Sequence, residues 1–239
     1  MYNESMIKDV AIEICIGNID DAIRASKYPI DRIELNSALE LGGLTPSIET
    51  LKYLKSKIDT KICCMVRPRG GDFHYSETEF EIMLKDAQNL LEAGADGIVF
   101  GFLNEDKTIN KTRTTKMSEL IASYQKEAVF HKAFDETPDK DEACQTLIDC
   151  HIARVLTSGG AVYPYILDGC RVIARLHQRF GNRLQFLPGG GVRIENIREV
   201  ITVSGSGQIH MTAKKNAEGG YLFLDEQQLE RMLEEISSL

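Results

Sequence analysis

Eight times along the chain a short apolar run stops at a glycine, proline or polar turn and gives way to helical periodicity, at a spacing of about 30 residues. The apolar runs lie at residues 10–16, 32–36, 61–66, 97–101, 128–133, 153–157, 184–187 and 208–211. The helical stretches lie at 20–27, 45–57, 80–93, 117–126, 139–150, 165–180, 194–203 and 226–236. Alternating strands and helices force parallel pairing, because each helix carries the chain back to the same end of the sheet. An open doubly wound sheet would want G-x-G-x-x-G after the first strand, and Gly17-Asn18-Ile19-Asp20-Asp21-Ala22 lacks it. The expectation is an α/β fold, a (β/α)8 TIM barrel, with residues 1–239 forming one domain. A chain of 239 residues that is 43% hydrophobic can bury such a core, and no shift in composition marks a boundary.

The third unit shows how the ends are built. Its strand closes on Arg67-Pro68-Arg69-Gly70-Gly71, where Pro68 lacks an N–H and biases Arg67 toward extended backbone. Ser76 and Glu79 then form a capping box that opens the helix. Asp139 and Glu142 repeat the pattern, and Thr45 is expected to cap a helix that has Pro46 at its first position.

In a barrel, strand residues alternate between the pore and an apolar helix layer, so an isolated charge inside a strand belongs in the pore. This places Glu13, Glu34, Arg67, His131 and His210 inward, with Asp135 just past the fifth strand. Cys15, Asn36, Cys63 and Met65 share their faces, while Cys64 faces the helices. Barrel sites are assembled at the C-terminal ends of the strands, and these acids and bases suit proton transfer. On that reading His131 and Glu34 exchange protons, Asp135 orients His131, and Arg67 helps to hold an anion. Further anion donors are expected from Arg69, from Ser158 and Gly159 after strand six, from Gly189, Gly190 and Gly191 after strand seven, and from Lys214 after strand eight.

The net charge of −8 comes from interspersed residues and leaves no basic face for nucleic acid. No run reaches membrane-spanning length and residues 1–9 hold no apolar leader core, so a cytoplasmic protein without a membrane partner is expected. The six cysteines, Cys15, Cys63, Cys64, Cys144, Cys150 and Cys170, form no C-x-x-C pair, which disfavours zinc-ribbon and thioredoxin-like sites. In a reducing compartment they read as free thiols.

The chain resembles the CutC family over nearly its whole length. The likeness is carried by residues 44–47, by Val66 through Phe73, by 130–135, by 154–159 and by 188–192, with Arg67-Pro68-Arg69-Gly70-Gly71-Asp72 the most specific. The resemblance implies a barrel, a cytoplasmic location and a role in copper homeostasis with Cu(I) bound. It brings no settled reaction. Family members often carry a cysteine where this chain has Asn36, and an amide suits Cu(I) less than a thiolate does. The remaining soft donors on the pore side are Cys15 and Met65 with the histidines. Two classes of function follow: a Cu(I)-binding protein, or a barrel enzyme doing acid–base chemistry on a small anionic or phosphorylated metabolite. A divalent metal held by Glu13, Glu34, His131 and His210 would join the two. The partners expected are thus a metal ion or a small anion, and the sequence leaves homo-oligomers open.

Overall fold

The computed structural model describes residues 10–216 and 222–239. Eight strands, β1 (Ala11–Ile16), β2 (Arg32–Leu35), β3 (Lys61–Met65), β4 (Gly97–Phe100), β5 (Glu127–Phe130), β6 (Arg154–Thr157), β7 (Gln185–Pro188) and β8 (Gln208–Met211), pair in parallel in the order β7-β6-β5-β4-β3-β2-β1-β8. The free edges of β7 and β8 meet through side chains: Gln208 Nε2 donates to Gln185 Oε1 at 3.1 Å, and Ser206 Oγ donates to the Phe186 carbonyl at 2.6 Å. The result is a nearly closed (β/α)8 barrel, as the strand–helix repeat requires.

The helices are α1 (Ile19–Ala25), α2 (Ile48–Lys55), α3 (Glu77–Glu92), α4 (Lys111–Ser123), α5 (Lys140–Asp149), α6 (Leu167–Phe180), α7 (Ile197–Ser204) and α8 (Glu226–Ser237). The capping box before α3 is formed in both directions, at 3.1 Å from Glu79 N to Ser76 Oγ and 2.7 Å from Ser76 N to Glu79 Oε2. Asp139 caps α5 through the N–H groups of Asp141 and Glu142. Two of the starts that differ from expectation have a visible cause. Ser47, rather than Thr45, caps α2, because Thr45 Oγ1 is engaged with the main chain of Arg67. Helix α4 begins near residue 111 because the Asn110 side chain accepts from Arg113 N, a cap hidden in a polar segment without apolar periodicity. A pair of short antiparallel strands, β9 (Lys214–Asn216) and β10 (Leu222–Leu224), lies outside the strand–helix repeat. It is anchored where Leu224 N donates to Asp21 Oδ2 at 2.7 Å.

Strand alternation sorts the side chains as the pleat dictates. Ile12, Ile14, Ile33, Leu35, Ile62, Cys64, Ile98, Phe100, Phe130, Val155, Phe186 and Ile209 join the large apolar shell under the helices. Inside the barrel, β3, β4 and β5 contribute a separate small cluster, Cys63, Met65, Val99 and Val129. The polar pore residues come mainly from β1, β2 and β8, so one side of the pore is greasy and the other ionic. Among the described residues no helix is long and apolar enough to cross a membrane.

Candidate functional site

The floor of the pore is an ion network around Glu13. Its carboxylate accepts from Arg32 Nε at 3.0 Å and lies 2.8 Å from His210 Nδ1, while Arg154 Nη2 stands 4.0 Å away. Arg154 also donates to Glu127 at 2.7 Å, and Arg32 to Gln208 at 2.8 Å. Burial alone would raise the Glu13 pKa, but the hydrogen bond and charge of His210, with Arg154 and Arg32, pull it down to about 2. Glu13 is therefore an ionised, buried acceptor.

Above this floor Cys15, Glu34 and His210 converge, each offering a ligand atom within 4.8 Å of the other two. Register explains the meeting: Cys15 pairs with Glu34 across β1 and β2, and Glu13 with His210 across β1 and β8. Because Glu13 can only accept, His210 Nδ1 carries the proton toward it, and Nε2 is the ring nitrogen left for other work. Burial would lower the His210 pKa, yet Glu34 and Glu13 outweigh it and hold it above the usual value. Burial pushes Glu34 up as well. The Cys15 thiol is raised well above its ordinary value by burial, with Glu34 adding and Lys214 opposing. Glu34 Oε2 accepts from Asn36 Nδ2 at 2.8 Å, whereas Glu34 Oε1 and Asn36 Oδ1 are buried and find no partner among the described residues. Two buried acceptors beside a thiol and an imidazole make a pocket for a bound cation or a proton donor.

Arg67 and His131 form a second group. The Arg67 guanidinium donates to the carbonyls of Leu41, Gly43 and Gly71 at 3.1, 3.3 and 2.9 Å, and stacks over Phe73. It therefore pins the segment between β2 and α2, which the Ser37–Leu44 bridge closes, instead of reaching for an external anion. The His131 ring packs on Phe73, its Nδ1 accepts from Ala133 N at 3.1 Å, and burial, with Arg67 nearby, lowers its pKa to about 3. His131 is thus a neutral side chain at ordinary pH, which does not suit proton exchange with Glu34.

Asp135 does not orient His131. Its carboxylate instead accepts from Ser158 N at 3.0 Å, Ser158 Oγ at 2.9 Å, Gly160 N at 3.0 Å, Thr157 Oγ1 at 2.5 Å and Lys132 Nζ at 2.8 Å. Gly159 N donates to Thr157 Oγ1 at 2.8 Å. The donors expected from Ser158 are thus filled by an acid of the chain itself, and that of Gly159 by the Thr157 hydroxyl. Arg69 is likewise engaged, with Glu79 at 2.6 Å and Asp72 at 3.1 Å, beside the start of α3. Met65 lies in the apolar cluster with Cys63, Val99 and Val129.

At the mouth, a cavity of about 640 Å³ is walled in part by Lys132, Gly190, Gly191, Arg193, His210 and Lys214. Gly189 is closed off from it in one respect, since its N–H donates to the Thr157 carbonyl at 3.0 Å. Sequence reasoning overlooked Arg32 and Arg154, although both are charges inside strands and the same alternation rule would have turned them inward. It also overlooked Lys132 and Arg193, which sit just past strand ends where no periodicity assigns a direction.

The profile of the CutC family matches residues 10–215. A CutC family protein of Treponema denticola is 43% identical over 212 residues, covering 89% of this chain and 85% of its own. A human relative named copper homeostasis protein cutC homolog is 37% identical over 212 residues, covering 89% of this chain and 76% of its own. A crystal structure of CutC from Streptococcus agalactiae superposes with a TM-score of 0.77 at 32% identity, covering 84% of this chain and 97% of that one. With all eight barrel strands inside the residues that the family profile matches, this chain belongs to the CutC family.

Proposed function

We propose that the protein acts in copper homeostasis in the cytoplasm by holding one Cu(I) ion between Cys15 Sγ and His210 Nε2, with Glu34 beside them. The observation that carries this reading is the convergence of Cys15, Glu34 and His210 within 4.8 Å. A thiolate and an imidazole are donors that suit Cu(I), and Glu13 supplies the carboxylate partner that fixes a ligating histidine's tautomer. Asn36 adds no sulfur, so the site has one thiolate. The names of the human and fly relatives support the role. The test is competition for Cu(I) against a calibrated chelator under reducing conditions. One ion per chain is expected, with Cys15→Ser and His210→Gln each weakening binding by at least about 100-fold; unchanged affinity in both variants would remove the proposal.

A second reading is favoured by one observation: His210 belongs both to the buried Glu34 cluster and to the wall of the mouth cavity. Glu34 and His210, both with raised pKa values, would then exchange protons with a small anionic metabolite. Deuterium incorporation from solvent into a panel of small phosphorylated sugars, lost in Glu34→Gln, is the outcome this reading requires.

A further inference from the structure

Four observations meet at the barrel mouth. The first concerns charge. In a chain of net charge −8, the cavity wall carries Lys132, Arg193 and Lys214 against the single acid Glu40. Among the described residues neither Arg193 nor Lys214 has a carboxylate partner; the Arg193 guanidinium donates to the Val192 carbonyl and the Tyr163 hydroxyl, both at 2.7 Å. The second concerns Lys132. Its ammonium has three donors, and two are engaged, with Asp135 at 2.8 Å and Ser158 Oγ at 3.0 Å. One remains.

The third observation is the main chain after β7. Gly190 and Gly191 hold φ of +93° and +109°, a conformation that residues with a Cβ rarely adopt. Among the described residues the N–H groups of Gly190, Gly191 and Val192 find no acceptor. The fourth is the closeness of these donors to the lysine. A Cβ built on Gly190 would stand 2.5 Å from Lys132 Nζ, and one on Gly191 would stand 2.2 Å from the Pro164 carbonyl. The positive φ calls for glycine at both positions; a Cβ on Gly191 would also strike the Pro164 main chain, while at Gly190 it would meet only the movable end of Lys132, which puts the ammonium beside this stretch of backbone.

We propose that this mouth holds a phosphate group, either inorganic phosphate or the end of a small phosphate monoester, between the N–H groups of Gly190, Gly191 and Val192 and the cations of Lys132, Arg193 and Lys214. Successive main-chain donors with flanking cations match a tetrahedral dianion, which offers more acceptors than a carboxylate. The cavity, about 640 Å³, exceeds what a phosphate fills, and its remaining wall runs past Met211 and His210 toward the pore. An ester would place its organic part there. The site shares no donor with the copper reading and needs no turnover.

The experiment uses the metal-free, full-length chain labelled with ¹⁵N. Inorganic phosphate and glycerol 3-phosphate are titrated separately at constant ionic strength in sodium chloride, while the amides of Gly190, Gly191 and Val192 are followed. Saturable shifts at these amides are expected, weakened about tenfold or more in Arg193→Met and in Lys214→Met. Tighter binding of the ester assigns the site to esters, and equal affinity assigns it to phosphate itself. Cys15→Ser, which removes the copper thiolate, should leave the phosphate affinity within about twofold, so the two sites fail separately. Amides that drift without saturating, or both cation variants binding like the parent chain, would overturn the proposal.

Discussion

Glu13 Oε1 lies 2.8 Å from His210 Nδ1, and the same carboxylate faces Arg32 and Arg154. One buried acid thus balances the floor of the pore and sets the tautomer of the histidine above it. Glu13→Gln keeps the shape but leaves the buried Arg32 without a carboxylate partner and Arg154 with Glu127 alone among the described residues. Urea denaturation should show a loss of about 3–5 kcal/mol, the range for breaking a buried ion pair from one side. Cu(I) affinity should fall by about 10–100-fold through the lost orientation of His210.

His131 offers a cleaner pH signature. Its pKa is near 3 in the fold against an ordinary 6.5, so below 6.5 the unfolded chain takes up a proton that the folded chain refuses. Stability from this residue is therefore present above 6.5 and is lost as pH falls toward 3, at about 1.4 kcal/mol per pH unit. His131→Asn keeps an acceptor for Ala133 N–H and removes the titration. The difference in slope of unfolding free energy between parent and variant should equal that figure across the window; parallel curves would show that His131 titrates normally.

Copper binding should strengthen as pH rises. Both Cys15 and His210 have raised pKa values, and each must lose a proton to ligate. Below the His210 pKa the affinity should change by up to about 100-fold per pH unit, because two protons leave per ion. Chelator competition at several pH values measures this, and a flat profile would argue against the thiol and imidazole as ligands.

Arg67 should act on the segment it pins. Lysine cannot span the carbonyls of Leu41, Gly43 and Gly71 together, so Arg67→Lys should cost about 1–3 kcal/mol. Hydrogen exchange should quicken at residues 39–43 while β1 and β8 stay protected; uniform exchange changes would mean the arginine supports the barrel as a whole.

The barrel was legible because its signal repeats: apolar runs, glycine stops and amphipathic helices recur until only one closed parallel sheet fits them. Inward facing of Glu13, Glu34 and His210 followed from the cost of a charge against the helix layer, and the structure places them together. Direction did not reveal partners. Asp135 lies near His131 in sequence yet turns to the loop after β6, where unfilled N–H groups attract a carboxylate. Arg67 likewise found carbonyls of a neighbouring loop, a choice set by tertiary placement. The β9–β10 pair is not legible because three-residue strands carry too little alternation to read.

X-ray absorption at the copper edge of the Cu(I)-loaded protein reads out whether copper sits between one sulfur and one imidazole in the pore. A low-coordinate Cu(I) with one sulfur from Cys15 and at least one nitrogen from His210 is expected. A first shell holding two or more sulfurs, or none, would contradict it.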